Sequence, residues 1–258
     1  MKLGIIGAGK MGSSIGLGVI RSGVFKKSDV FFADQYKMRI EELKNDGFVT
    51  MGNKEIYENS DIILLAIKPQ QIEEVIIEVS SVENHAKTVI CIAAGIPISY
   101  IKKHLKDVNV VRVMPNTPAL INSGTSAIAF EKEEQIVIDI FKSIGHVEVI
   151  SENMMNEVIP LNGSFPAFGY YFINSFIKAG MEAGFSYEVA KNLVTSSMIG
   201  TVKMILQSSK PINELIKDVC SPGGTTIEGV RVFDEKNLDG IVKECYEKCV
   251  KRAYELGK

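Results

Sequence analysis

The stretch GIIGAGKMGSSIG, Gly4 to Gly16, constrains the fold of this chain more than any other. Two phosphate-binding patterns overlap in it. Counted from Gly4, it nearly spells the mononucleotide loop G-x-x-x-x-G-K, with Gly9 and Lys10 in the last two places. Counted from Gly7, it spells G-x-G-x-x-G through Gly7, Gly9 and Gly12. A mononucleotide loop follows a strand, yet only Met1, Lys2 and Leu3 precede Gly4. It also needs Ser or Thr after its lysine to hold magnesium, and Met11 stands there. The dinucleotide pattern meets its requirements. KLGII supplies the strand, Gly7 the tight turn, Gly9 the close backbone approach to a pyrophosphate, and Gly12 room for the next helix to pack. That helix aims its free N–H groups and positive dipole end at the phosphates.

Asp34 ends the following strand, about 20 residues beyond Gly12, where a ribose-binding carboxylate is expected. Accepting from both ribose hydroxyls, it favours a dinucleotide without a 2′-phosphate. Gln35, Lys37 and Arg39 follow at once, and a cation there pairs with that phosphate. The alternative places these cations on the solvated face of the helix YKMRIEEL. The sequence leaves both open.

Beyond the loop, short β-branched runs alternate with helical stretches up to about residue 150. The strand candidates are KLGII, DVFFA, DIILLAI, TVICIA, NVVRVM and TSAIAF, with HVEVI as a possible last strand. Such alternation, with apolar strands, predicts a largely parallel sheet covered on both faces. After Ser151 only long helical stretches follow, several of them apolar around most of their circumference, as in YYFINSF and VTSSMIGTVKMIL. Helices of that kind are buried in a bundle, partly by another subunit. The expected fold is therefore α/β, an N-terminal Rossmann-like doubly wound sheet over 1–151 followed by an all-helical C-terminal domain over 152–258.

Composition narrows the function classes. Of 258 residues, 46% are hydrophobic and 23% charged, and the net charge of −2 offers no basic surface for nucleic acid. No apolar run reaches the ~18 residues that span a bilayer, and the N-terminus leaves no room for a signal peptide, so a cytoplasmic protein is expected. Cys245 and Cys249 stand four apart on a helical stretch, a conceivable metal pair, but reduced thiols are the expectation and no metal is assigned. His85, His104 and His146 are scattered without ligand spacing and are expected on the surface or in loops.

Four further stretches go beyond the generic fold: AIKPQ from Ala66, IAAGI from Ile92, VRVMPNTPAL from Val111 and SPGGTTIEGV from Ser221. Together, and in this order along nearly the whole chain, they resemble the pyrroline-5-carboxylate reductase family. The resemblance implies hydride transfer from NADPH or NADH to the C=N bond of 1-pyrroline-5-carboxylate, giving proline. It also implies an interlocked homodimer built through the helical domain, often assembled into a larger ring. On the cofactor side it points to Gly7, Gly9, Lys10, Met11, Gly12, Asp34, Gln35, Ala66, Lys68, Pro69, Ala94, Gly95, Pro115 and Asn116. Asn116 would orient the nicotinamide, unless it merely bonds its own backbone in an Asn-Thr-Pro turn.

On the substrate side the resemblance points to Gly163, Ser164, Pro166, Gly224, Thr225 and Thr226. Pro222 stops one helix and TTIEGVRVF begins another, so the N–H groups of Gly224, Thr225 and Thr226 would form a cradle for the substrate carboxylate. The family assigns the Thr226 hydroxyl to the imine nitrogen and proton relay, and Ser221 to the carboxylate. The plainer alternative is a Ser-Pro stop with a threonine capping the next helix. No His–Asp or Lys dyad is evident, which suits chemistry carried by the cofactor.

The chain departs from the family on the substrate side. The opening of the helical domain reads NGSFPAF, with Asn162, Phe165 and Phe168 in place of serine, glycine and tyrosine; Asn174, Lys178, Ser196 and Ser197 also differ. These changes leave two alternatives: a related enzyme with another imine or keto substrate, or a non-catalytic NAD(P)-binding protein. The hydroxyacid dehydrogenases, which join a similar domain to helices, need a lysine that NGSFPAFGYYFINSF lacks.

Overall fold

The computed structural model describes residues 1–82 and 88–256; His85 lies outside the described residues. The chain divides into two compact units. The first comprises Met1–Pro166 with the residues from Cys249 onward, the second Ala167–Lys248.

The first unit is built on an eight-stranded sheet in the order β3-β2-β1-β4-β5-β6-β7-β8. Its strands are β1 (Leu3–Ile6), β2 (Val30–Ala33), β3 (Val49–Thr50), β4 (Ile62–Leu65), β5 (Thr88–Cys91), β6 (Asn109–Met114), β7 (Gly124–Phe130) and β8 (Gly145–Val149). Every neighbouring pair is parallel except β6–β7, where Val111 faces Phe130 and Met114 faces Ala127. The helices are α1 (Lys10–Arg21), α2 (Lys37–Asn45), α3 (Asn53–Asn59), α4 (Pro69–Ser80), α5 (Ile98–Lys102) and α6 (Gln135–Lys142).

The period-2 alternation of side chains sorts the strands into two cores. Leu3 and Ile5 of β1 and Leu64 of β4 pack with Ile15 and Val19 of α1 and with Ile140 and Phe141 of α6. Their neighbours Ile6, Ile63 and Leu65 face the other way, against Ile56 of α3 and Ile72 and Ile76 of α4. Strands buried on both faces read as apolar runs, which is why IILL and TVIC were recognisable. The chain leaves β1 toward β2 and β3 on one side and resumes at β4 on the other, so the strand order reverses between β1 and β4. Ligand crevices of doubly wound sheets open at that point, beyond the carboxyl ends of the strands.

Two elements, β3 and α3, were not expected from the sequence. β3 pairs with β2 over only Phe31–Val49 and Phe32–Thr50, too short for alternation to show. α3 is short and polar outside Ile56 and Tyr57; its start is fixed by the Glu55 carboxylate accepting from the Gly52 N–H at 2.8 Å. HVEVI does form the last strand, β8, parallel to β7.

The second unit is helical: most of α7 (Phe165–Glu182), α8 (Tyr187–Gln207), α9 (Ile212–Val219), α10 (Thr225–Glu235) and the first part of α11 (Leu238–Leu256). Gly184, at φ +101°, takes the left-handed conformation that ends α7, and the Ser186 hydroxyl caps α8 by accepting from Val189 N–H. α7 and α8 approach where a Cβ on Gly180 would lie 3.3 Å from Ala190. Ile177 and Ala190 are buried, but much of the remaining apolar surface is not: Tyr171 and Leu206 are each 80% exposed, and Tyr170, Leu193, Ile199 and Met204 are exposed beside them. Among the described residues no helix is long and apolar enough to cross a membrane.

Candidate functional site

β1 ends at Ile6, and the chain turns sharply into α1 through Gly7, at φ +100°. A side chain is impossible there, since a Cβ would lie 2.5 Å from the Ala66 carbonyl oxygen. Gly12 sits in the first turn of α1 with its Cα against the Gly7 turn; a Cβ would come within 2.0 Å of the Gly7 carbonyl oxygen. Gly9 is different. A Cβ on Gly9 would meet nothing within 4 Å, so the residue is free of packing demands and faces open space at the N-terminus of α1. The loop thus has two glycines required by its own geometry and one, Gly9, that leaves open space at the N-terminus of α1. Gly4 lies within β1, where a Cβ would meet Ile56 and Ser60, so its resemblance to a P-loop glycine is a packing requirement. Lys10 is exposed at the head of α1, and Met11 turns toward the core.

The loop is tied to the end of β2. Asp34 Oδ2 accepts from Ala8 N–H at 2.8 Å and Oδ1 from Tyr36 N–H at 2.9 Å. Arg39 is not merely on the solvated face of α2: its Nε donates to the Ala8 carbonyl at 2.9 Å and its Nη2 to Ser13 Oγ at 2.8 Å, while Nη1 pairs with Glu42 at 2.7 Å. Asp34 and Arg39 therefore grip the loop from both sides of Ala8.

A cleft opens beside this loop. Of the residues expected on the cofactor side it brings together Gly7, Gly9, Asp34, Gln35, Ala66 and Lys68. Pro69 begins α4 just behind Lys68. Lys10, Met11 and Gly12 lie in the first turns of α1, while Ala94 and Gly95 follow β5 and Pro115 and Asn116 follow β6; none of these lines the cleft. Sequence reasoning missed Tyr36, Asn53, Gln71, Glu74, Val75 and Glu78. Gln71, Glu74, Val75 and Glu78 share one face of α4 at helical spacing, a signal that was available. Asn53, held by Glu78 at 2.8 Å, belongs to the unforeseen α3.

Asn116 is 9% exposed and its amide has protein partners. Its Oδ1 accepts from Thr125 N–H at 2.8 Å and its Nδ2 reaches the Asn162 carbonyl at 3.4 Å. The alternative reading, a turn bond to its own backbone, gives way to this tie to β7. Asn162 in turn donates to the Met114 carbonyl at 2.5 Å, with its Oδ1 buried and unpartnered. Gly163 packs on Met114, and Ser164 Oγ lies 3.3 Å from Cys249 Sγ. Pro166 occupies the first turn of α7, beside an exposed Phe165. Behind these residues Arg112 is buried in β6. Its side chain donates to Asn156 at 2.6 Å and leaves Nε without a partner, and burial pulls its pKa below the ordinary value.

In the helical unit, α9 ends at Val219 ahead of Ser221 and Pro222, and Gly223 turns at φ +70°. Gly224, not a threonine, caps α10, and Thr225 is its first residue. The expected three-amide cradle needs one correction: the Gly224 N–H donates to the Ser221 carbonyl at 3.0 Å, closing the turn. The amides left for such a cradle are those of the first turn of α10, from Thr225 on, which have no intrahelical acceptor. Thr226 lines an apolar hollow with Thr201, Ile205, Ile216, Cys220 and Val230.

Among the histidines, His104 sits exposed against Tyr100, and His146 pairs with Glu148 on β8 at 2.6 Å. Among the described residues no group of three or more His, Cys, Asp or Glu side chains is placed to hold a metal.

Comparison with known proteins bears on both units. Residues 2–95 match the family model described as NADP oxidoreductase, coenzyme F420-dependent, and residues 152–256 match that described as pyrroline-5-carboxylate reductase dimerisation. Pyrroline-5-carboxylate reductase of Escherichia coli is 33% identical over 100% of this chain and 98% of its own length. The chain belongs to the pyrroline-5-carboxylate reductase family. The Aquifex aeolicus reductase is also 33% identical, over 99% of this chain and 97% of its own. The crystal structure of Plasmodium falciparum pyrroline carboxylate reductase with NADP bound superposes with a TM-score of 0.91 at 30% identity, covering 100% of this chain and 98% of that one.

Proposed function

We propose that this protein is an NAD(P)H-dependent reductase that converts 1-pyrroline-5-carboxylate to proline. The observation that carries the proposal is full-length membership of the reductase family together with an open, side-chain-free approach at Gly9 between two conformationally required glycines. When bound, the reduced nicotinamide supplies a hydride to the imine carbon, and a proton goes to the imine nitrogen. Gly7, Gly9 and Gly12 shape the loop that receives the pyrophosphate, with Lys10 and Met11 at the head of α1. Asp34, Gln35, Ala66, Lys68 and Pro69 hold the adenosine side. Ala94, Gly95, Pro115 and Asn116 form the path toward the nicotinamide, where Asn116 acts by fixing the backbone at the end of β6 through Thr125.

The Thr226 hydroxyl bonds the imine nitrogen, and the amides of Thr225 and Thr226 with the Ser221 hydroxyl hold the carboxylate. Gly224 serves by closing the turn, and Gly163, Ser164 and Pro166 shape the substrate side. Binding energy in this arrangement goes into position, since two reactants held in register recover much of the barrier that free collision imposes.

The protein works as a homodimer through the helical domain, 152–258, with a larger ring as an extension of the same packing. The exposed apolar surface of α7 and α8 supports a second copy as its cover. A soluble reductase of this kind acts in the cytoplasm. The test is 1-pyrroline-5-carboxylate-dependent loss of NADH or NADPH absorbance, with proline identified as product. Dinucleotide binding without turnover would favour a non-catalytic NAD(P)-binding protein, and turnover of other imines alone would favour an altered substrate.

A further inference from the structure

We infer that this protein selects NADH over NADPH, and that Asp34 is the residue that makes the choice. The inference rests on the dinucleotide site proposed above and concerns the adenosine ribose that the site must hold.

Asp34 stands directly after β2, half-buried at the edge of the cleft. Its carboxylate cannot swing away from an incoming ligand without cost. Oδ2 is held by Ala8 N–H and Oδ1 by Tyr36 N–H, at 2.8 and 2.9 Å. Each oxygen keeps a further lone pair. Two acceptors fixed side by side match the two vicinal hydroxyls of an unmodified ribose, which are donors. A 2′-phosphate is an acceptor-only dianion, and it would meet a fixed negative charge with no proton to share.

The cations that a 2′-phosphate needs are directed elsewhere. Arg39, in the stretch where such a cation is expected, donates to Ala8 in the loop and to Ser13 in the first turn of α1, and pairs with Glu42. Lys37 is exposed and does not line the cleft. Lys68 does line it, but Glu74 and Glu78 line the same cleft with Asp34, so carboxylates outnumber ammonium groups three to one. Gln35 and Tyr36 are uncharged. The field in the cleft opposes additional negative charge. The Plasmodium falciparum relative has NADP bound in its structure; the inference separates this chain from that relative at the ribose.

Direct binding tests the assignment without relying on turnover. The purified full-length protein is titrated with NADH and with NADPH by nucleotide fluorescence, and ADP is compared with its 2′-phosphorylated form as a competitor. The expected result is NADH bound at least about tenfold more tightly, with the same order for the two fragments. Asp34→Asn keeps an acceptor for the loop and removes the charge; it should narrow the ratio several-fold, chiefly by improving NADPH. Equal or tighter binding of NADPH by the unmodified protein overturns the inference even if Asp34→Asn fails to fold. So does a well-folded Asp34→Asn with an unchanged ratio. Binding of neither dinucleotide removes the dinucleotide site itself, a separate and more basic failure that takes the inference with it.

Discussion

Replacing Gly9 by alanine separates a glycine needed for binding from glycines needed for folding. The built Cβ meets no atom within 4 Å, so the unliganded protein incurs no steric penalty. The backbone at Gly9, φ −67° and ψ −172°, is open to alanine. Restricting the unfolded chain contributes about 0.4–1 kcal/mol in favour of folding. Gly9 is also the N-cap of α1, where alanine is worse than glycine by roughly 1 kcal/mol. The two nearly cancel, and the melting temperature should move by no more than about 2–4 °C. Binding should respond very differently. A methyl set where the pyrophosphate passes is an overpacking change, costing about 1–3 kcal/mol, or roughly 5- to 150-fold in dissociation constant. Fluorescence titration with NADH, beside thermal melts of the free protein, measures both quantities. A Gly9→Ala protein that binds dinucleotide as tightly as the parent would refute the placement of the phosphates at this loop.

Gly12→Ala should behave in the opposite sense. Its Cβ would lie 2.0 Å from the Gly7 carbonyl oxygen, a backbone atom that cannot yield, so a loss of at least about 2 kcal/mol and a clearly lower melting temperature are expected without any ligand. Thr226→Ala should keep dinucleotide affinity and lose most turnover; steady-state kinetics unchanged from the parent would take Thr226 out of the mechanism. Cys91, fully buried in β5, gives a pH dependence. Burial pushes its thiol up to about 11, against smaller lowering effects from the Ala93 backbone and Arg112. The unfolded chain releases this proton near the thiol's ordinary value of 9.0 while the folded chain retains it, so stability is whole below pH 9 and falls as pH rises toward 11. Urea titrations at about pH 8 and pH 10.5 should show a loss of up to about 2 kcal/mol that Cys91→Ala lacks; equal losses in both proteins would remove Cys91 as the cause.

Much of this architecture is visible in the amino-acid order because burial on both faces leaves a continuous apolar signature. IILL, TVIC and NVVRVM are strands for that reason, and the same logic marks α1 and α4 by one apolar stripe each. β3 and α3 were hidden because two paired residues and one polar helical turn or two carry too little pattern. The glycine loop was legible residue by residue, since Gly7 and Gly12 answer to backbone geometry that permits no alternative. The network around it was not. That Arg39 reaches the Ala8 carbonyl, or that Asn116 bonds Thr125, depends on side-chain directions that no spacing rule fixes. The same holds for Gly224, whose N–H closes a turn on Ser221 instead of facing outward. Asp34 shows both sides: its position was readable, while the two amides that fix its carboxylate emerged only from the folded chain.

The central claim is hydride delivery to the imine carbon of 1-pyrroline-5-carboxylate. Its most direct test supplies the purified protein with that substrate and a reduced nicotinamide dinucleotide carrying deuterium at the transferable position. Mass spectrometry of the product should show proline with a single added deuterium, formed in step with dinucleotide oxidation. Bound dinucleotide with no labelled proline, from either NADH or NADPH, would contradict the account.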